Sequence, residues 1–346
     1  MYEVKQVFWF NEIGQEDKGI VGKKCANLGE MTRLKMPVPL GFAVSVTAHE
    51  RFLAETGARQ EIEKLLNEAG DLRDYKLSNE VSTKIREIIE GKEIPSDLTQ
   101  VIESHYEELC LQRGCELAVS VRSAGIVSHP GMYETYLNIS GRQQVLRMVK
   151  KVWASIFNHR TICAAVQHGL PVGESPCIGV AVVEMVNVRS AGVCFTVHPV
   201  TGDPRRAVIE SNWGLGESVV SGQVSVDSYV VDKETLNIIE MVLGQKEFQI
   251  VPRGGGVAEE ELSSEKRSSY SLNNEEAAEI VKLGKSLESH FNAPQDLEFA
   301  IDAGRPFPHN VLLLQTRDVV GVKVQDEKTS VERLKAELAK RLKRVI

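Results

Sequence analysis

Several things are scarce in this chain, and each scarcity excludes a class of protein. No run of about eighteen apolar residues occurs anywhere in the 346 residues, so no segment reads as a membrane-spanning helix. Basic charge is not in excess. The formal net charge is −7, which argues against a general nucleic-acid-binding surface. The first ten residues, Met-Tyr-Glu-Val-Lys-Gln-Val-Phe-Trp-Phe, have no basic region leading into an apolar core. No signal peptide is therefore expected, and the expected location is cytoplasmic. The six cysteines, Cys25, Cys110, Cys115, Cys163, Cys177 and Cys194, form no Cys-x-x-Cys pair and no Cys/His metal spacing. Free thiols in a reducing compartment are the expectation.

What remains is a chain 42% hydrophobic and 26% charged, long enough for two or three packed subdomains. Its most informative stretch runs from Leu117 to Gly141. Val119 and Val121 alternate with Ser120 and lead into Arg122, which suits a strand. A Pro130-Gly131 turn follows, then a second β pattern from Thr135 to Ile139. Glycine at such a turn lets the backbone approach a ligand, and a nearby guanidinium offers a fork of donors matched to phosphate. Two readings stand side by side: an ordinary hairpin with a surface arginine, and a phosphate site.

Upstream, Val4 to Phe10 reads as a strand. Gly22-Lys23-Lys24-Cys25-Ala26-Asn27-Leu28-Gly29-Glu30-Met31 reads as a turn that opens a helix. Lysine at a helix start is disfavoured by the dipole unless an anion meets it there. Lys23 or Lys24 is thus a candidate phosphate contact, weighed against a plain solvated pair. Pro37 to Phe42 is a stiff turn into a strand from Ala43 to Val46, with Thr47 able to cap the next helix. Residues 48–114 carry apolar residues at helical spacing and read as a helical insertion without chemistry. Arg142 to Asn158 is a further helix with Val145, Val149, Val152 and Ile156 on one face. His168 before Gly169 reads as a cationic helix end.

From Ser175 the pattern turns to β. Ile178 to Val186 and Ala191 to Val197 read as partner strands, and Arg206 to Glu210 as another, running into the glycine-rich turn around Glu217. Tyr229 to Val231 and Asn237 to Val242 suggest a hairpin, residues 252–273 a mobile surface loop, and Asn274 to His290 a helix. Two strands follow, Ala293 to Asp302 and Val311 to Arg317. In a strand Asp296 and Glu298 share one face, as do Gln315 and Arg317. Paired carboxylates need a cation or donor between them, and hard oxygens suit Mg²⁺. An edge face neutralised by water and basic side chains is the plainer alternative. Residues 328–346 are rich in Lys and Arg, with Val331, Leu334, Leu338, Leu342 and Val345 at helical spacing. They read either as a helix packed on its own domain or as a docking helix.

Taken together, these stretches resemble the N-terminal nucleotide-binding domain of the dikinases: phosphoenolpyruvate synthase, pyruvate phosphate dikinase and rifampicin phosphotransferase. The resemblance runs from about Val21 to Arg317, with the motifs in the family's order. Gly22 to Glu30 is similar to Gly-Gly-Lys-Gly-Ala-Asn-Leu-Gly-Glu, and Val119 to Asn138 to Ser-Val-Arg-Ser, Ser-Met-Pro-Gly-Met and Thr-x-Leu-Asn. Gly192 to Gly202, Trp213 to Gly222, Pro294 to Phe299 and Leu314 to Arg317 also match. Lys23 and Cys25 stand where the family has glycine, and Glu184 where glutamine is common.

The resemblance implies an α/β (α+β) chain of ATP-grasp fold: two subdomains, 1–174 and 175–320, with the nucleotide in the cleft between them. It adds the helical insertion over about 48–114 and a C-terminal helix or linker at 321–346. By the same carry-over, Lys24 and Arg122 contact the phosphates of ATP, and Gly131 and Thr135 belong to the loop over them. Glu184, with the backbone of Met185 and Val186, receives the adenine. Glu298 and Gln315 handle Mg²⁺ and ribose or phosphate, Arg317 meets the phosphates, and Asp296 and Glu217 are neighbours. The family's phosphorylated histidine sits in a Gly-Gly-x-x-Ser-His or similar setting, and His129, in Ser-His-Pro, is not in that place. The expectation is an ATP-binding subunit of a split dikinase resembling phenylphosphate synthase or a split phosphoenolpyruvate synthase. It would pyrophosphorylate a histidine on a partner chain, with a small-molecule acceptor reached through it. The alternatives are an ADP-forming ligase or kinase, and a non-catalytic nucleotide sensor.

Overall fold

Among the described residues, β-branched and apolar runs bounded by glycine and proline build two large antiparallel sheets, one in each half of the chain, and a separate two-stranded hairpin. The computed structural model describes residues 5–126, 134–168, 172 and 177–324. The expectations for His129, Gly131 and the C-terminal helix lie outside the described residues.

Contacts divide the chain into two units. The first holds the chain up to Met185 together with Pro252–Val257, and the second holds Val186–Val251 and the chain from Ala258 onward. In the first unit, β1 (Val7–Trp9), β2 (Gly41–Val44), β3 (Val119–Ala124), β4 (Thr135–Ile139) and β5 (Gly179–Glu184) form a sheet in the order β1-β2-β5-β3-β4. Every β2 residue is buried, and all of β5 except Glu184. This fits strands that read as near-continuous apolar runs rather than alternating ones. The insertion is helical as expected: Val46–Glu55, Ala58–Glu68, Tyr75–Gly91 and Ser96–Arg113. Ser45, not Thr47, caps the first of these, accepting from the Ala48 N–H at 3.1 Å. Phe52, Ile85, Ile89, Val149, Val152 and Trp153 lie fully buried in one apolar cluster with Val121 and Val182.

In the second unit, β6 (Val188–Phe195), β7 (Arg206–Trp213), β8 (Asp227–Asp232) and β9 (Ile238–Val242) run side by side. They are followed in sequence by the hairpin of β10 (Phe248–Arg253) and β11 (Gly256–Glu261), whose turn and adjoining strand ends, Pro252–Val257, belong to the first unit, then by β12 (Gln295–Asp302) and β13 (Val311–Asp318). The large sheet is ordered β13-β12-β6-β7-β8-β9. The helix Asn274–Phe291 starts on a capping box between Asn273 and Glu276 and packs against the Leu297 side of β12, where Gly284 leaves room for that leucine.

Two expectations fail here for physical reasons. β5 and β6 do not pair: β5 lies between β2 and β3 in the first sheet, and β6 between β12 and β7 in the second. A run apolar on both faces belongs in a sheet covered on both faces, and Val180, Ala181, Val182 and Val183, which alternate between the faces of β5, are all buried. The stretch from residue 252 to residue 273 is not a loop. Gly254 and Gly255, with φ of 57° and 74°, form the two-residue turn that a tight hairpin demands.

Candidate functional site

In the first unit, the helix Lys23–Arg33 begins where β3 ends. Gly22 has φ 81°, and a Cβ there would come within 1.9 Å of the Ala124 carbonyl oxygen. Only glycine lets the helix start pass this close to the strand. The Lys23 N–H donates to the Gly125 carbonyl at 2.9 Å, fixing the junction. No side chain caps this helix and its first turn carries no acid, only Lys23 and Lys24. A helix start with two lysines and no carboxylate concentrates positive potential.

Arg122 lies on β3, directly opposite Thr135 on β4 and Ala181 on β5. Lys24 and Arg122 act on one group: burial pushes the Cys25 thiol up to about 12, against the opposing fields of both cations. Cys25, at a family glycine position, is fully buried inside the helix. The structure therefore brings Gly22, Lys24, Arg122 and Thr135 to one end of the β3–β4 strand pair.

At the end of β5, Glu184 is about nine-tenths buried and gripped by Arg113. Both Nε and Nη2 of Arg113 donate to it at 2.8 Å, and the Leu40 N–H adds a bond at 3.3 Å. The Met185 N–H is engaged with the Ala118 carbonyl at 2.9 Å, so that amide serves the sheet rather than a ligand. Val186 begins the second unit. Arg113 was missed from the sequence. Its one local signal is its place as the last helical residue before Gly114, and its partner lies 71 residues away.

In the second unit, β12 and β13 set Asp296 opposite Arg317 and Glu298 opposite Gln315. Each pair was expected to share a face of its own strand, and the register brings the two pairs together on the face away from helix Asn274–Phe291. Arg317 donates to Asp296 Oδ2 through Nε and Nη2, both at 2.7 Å. Burial raises the Asp296 carboxyl, Arg317 opposes this, and the nearby Glu298 charge adds to it. Asp296 thus serves as the seat of Arg317, and its oxygen already accepts two bonds. Glu298 and Gln315 supply the carboxylate and amide oxygens that suit a hard cation. Among the described residues no three His, Cys, Asp or Glu groups converge as a metal cage. That is compatible with Mg²⁺, which is typically held by one or two carboxylates together with substrate phosphates. Glu217 stands exposed at the start of the short helix Glu217–Val220.

The second unit also buries an ion pair that no periodicity marked. Lys246 and Asp227, both fully buried, pair through Nζ and Oδ1, and Lys246 donates to the Ser269 carbonyl at 3.0 Å. Asp227 Oδ2 accepts from the N–H and hydroxyl of Ser271, each at 2.8 Å. This network is structural.

Comparison with known proteins gives these features a family. A model of the pyruvate phosphate dikinase AMP/ATP-binding domain matches residues 18–338. A probable phosphoenolpyruvate synthase of Staphylothermus marinus is 38% identical over 97% of this chain and 44% of its own length. One of Methanothermobacter thermautotrophicus is 37% identical over 95% of this chain and 48% of its own. The phosphoenolpyruvate synthase of Aeropyrum pernix is 35% identical over 91% and 42%. The chain spans less than half the length of each of these relatives. No helix among the described residues is long and apolar enough to cross a membrane. With an uncapped lysine start beside a strand-end arginine in one unit, and a carboxylate–amide–arginine face in the other, the chain belongs to the pyruvate phosphate dikinase AMP/ATP-binding domain family.

Proposed function

We propose that this chain is an ATP-grasp phosphotransferase component that binds Mg-ATP and presents its β-phosphate to a histidine carried outside the residues described, on a partner polypeptide. Lys24 and Arg122 meet the phosphates, with Thr135 beside Arg122. Glu184, oriented by Arg113, accepts from the adenine amino group, and the backbone following it completes the base contact. Glu298 and Gln315 would hold Mg²⁺, whose chemistry is to neutralise and bridge phosphate oxygens. Arg317, steadied by Asp296, adds a fixed fork of donors for charge that develops during transfer.

The observation that carries this reading is the junction at Gly22. There a helix start without a carboxylate, Lys24 and Arg122 lie together at the end of β3. Phosphoryl transfer asks of a protein mainly positioning and charge neutralisation, which these residues provide. The products are then AMP and, after hydrolysis of the pyrophosphorylated histidine, phosphate, with one phosphoryl group passed to the acceptor. The relatives are named for phosphoenolpyruvate, so pyruvate is favoured over phenol as that acceptor.

Chromatographic analysis of the nucleotide products tests this. With a histidine-bearing partner domain and acceptor present, AMP should accumulate, while the chain alone should bind Mg-ATP with little turnover. Steady ADP formation by the chain alone would replace this reading with a ligase or kinase that uses the γ-phosphate. Mg-ATP binding without any turnover under either condition would leave a nucleotide sensor.

A further inference from the structure

The helical insertion reads in the sequence as carrying no chemistry, yet one of its side chains reaches the start of β4. Arg86, on the helix Tyr75–Gly91, pairs with Glu134, the residue immediately before Thr135. A single nitrogen, Nη2, straddles the carboxylate, 2.9 Å from Oε1 and 3.0 Å from Oε2. The Tyr136 hydroxyl donates to the same Oε2. Burial, reinforced by this bond to Glu134, raises the Tyr136 phenol, so it stays protonated and keeps donating. The Glu134 backbone is held as well. Its N–H donates to Ser155 Oγ at 3.4 Å, and the fully buried Ser155 hydroxyl donates in turn to the Val152 carbonyl at 2.7 Å.

Side chains alternate along a strand, so Glu134 and Tyr136, which touch, lie on one side of β4 and Thr135 on the other. The Tyr136 side is the core side. Its ring packs against the apolar cluster of the first unit, and Lys151 of the helix Arg142–Ala154 approaches it at 5.8 Å. Thr135 is exposed and stands directly opposite Arg122, and cross-strand partners share a face. Anchoring the residues on either side of Thr135 to the helical layer therefore fixes its hydroxyl on the face that carries Arg122.

We infer that Arg86 is a positioning residue for the phosphates of the nucleotide. Through Glu134 it holds Thr135 on the Arg122 face of β4, where the hydroxyl can donate to a phosphate oxygen. The inference rests on the reading of Lys24, Arg122 and Thr135 as the phosphate site. Arg86 itself touches no phosphate and acts only through Glu134 and Thr135.

Calorimetric titration of Mg-ATP and of adenosine into the full chain and its variants tests this, since adenosine reads the base contacts without the phosphates. Arg86→Ala should weaken Mg-ATP binding by about tenfold, the scale of one hydrogen bond to a charged group, and leave adenosine binding unchanged. Thr135→Val should do the same. The double variant should lose less than the two losses added, because Arg86 acts through Thr135. One nitrogen makes both contacts to Glu134, so the point charge of Arg86→Lys should recover most of the affinity. Tyr136→Phe keeps the ring on the core and should weaken Mg-ATP binding in the same direction; undiminished affinity there overturns the inference even where Arg86→Ala fails to fold. Unchanged Mg-ATP affinity in folded Arg86→Ala, an equal loss for adenosine, or fully additive losses in the double variant would also overturn it. Failure of the underlying reading looks different. No Mg-ATP binding by the unaltered chain, or undiminished affinity in Thr135→Val, overturns the phosphate assignment itself and this inference with it.

Discussion

The two units solve the problem of a stable interior differently. The first is held by an apolar cluster in which Trp153, Phe52, Ile85 and Ile89 are fully buried, and its buried polar residues are small or uncharged. Every buried Asp, Glu or Lys among the described residues, namely Asp227, Lys246, Glu276, Asp296 and Asp302, lies in the second. A buried charge is tolerable only when paired and hydrogen-bonded, and each oxygen of Asp227 has at least one donor. The candidate site follows the same division. The first unit offers cations at a backbone junction, while the second seats its arginine on a buried carboxylate.

The sharpest way to break this comparison is Asp227→Ala. Leaving Lys246 buried without its carboxylate should cost about 3–5 kcal/mol. Hydrogen exchange should show protection lost in β7 and β8 while β2 and β5 keep theirs. The apolar counterpart, Ile85→Ala, should cost about 2–5 kcal/mol and loosen the first unit instead. Equal loss of protection in both units from either variant would show that they do not differ in this way.

The two arginines proposed for the phosphates sharpen it further. Arg122→Ala and Arg317→Ala should each slow phosphoryl transfer by on the order of a hundredfold, with a smaller effect on nucleotide binding. Asp296→Asn should reproduce part of the Arg317 loss, because that carboxylate holds the guanidinium. Transfer at a near-normal rate in both arginine variants would end their assignment to the phosphates.

Two smaller effects belong to the first unit. His49 is fully buried against Trp153, and its Nδ1 accepts from the Ile178 N–H. Burial, aided by Arg59, lowers it from 6.5 to about 3. Between those values the unfolded chain binds a proton that the folded chain refuses, so this contribution is complete above pH 6.5 and is lost as pH falls toward 3. The slope should be about 1.4 kcal/mol per pH unit. His49→Phe should flatten it in urea melts run from pH 7 to pH 5, and an unchanged slope would exclude His49 as its source. Smallest is Ser45→Ala, which removes the cap of helix Val46–Glu55 and should cost about 1 kcal/mol; a melting temperature unmoved by it would count against the cap.

The same contrast explains how much could be read beforehand. The helix from Lys23, the helical insertion, and β12 and β13 with their shared face were legible, because local periodicity and turn chemistry decide them. The carbon core of the first unit followed from the same signal. The junction of β5 and β6 was not legible, since an apolar run does not state which sheet receives it. Asp227 and Lys246 look like surface residues to any periodicity rule, and only the fold reveals their pairing. Arg113 belongs to this class too, because its role rests on Glu184, a partner distant in sequence. The hairpin at Gly254–Gly255 could have been found, as paired glycines between β-prone residues are a turn signal in themselves.

The most direct test is calorimetric titration of Mg-ATP into the full chain and into Lys24→Ala, Glu298→Ala and the double variant. If Lys24 and Glu298 both serve the nucleotide, each single variant should weaken binding by on the order of tenfold. The double variant should weaken binding further than either single one. Absence of Mg-ATP binding by the unaltered chain, or affinity that depends on one of the two residues alone, would contradict these assignments.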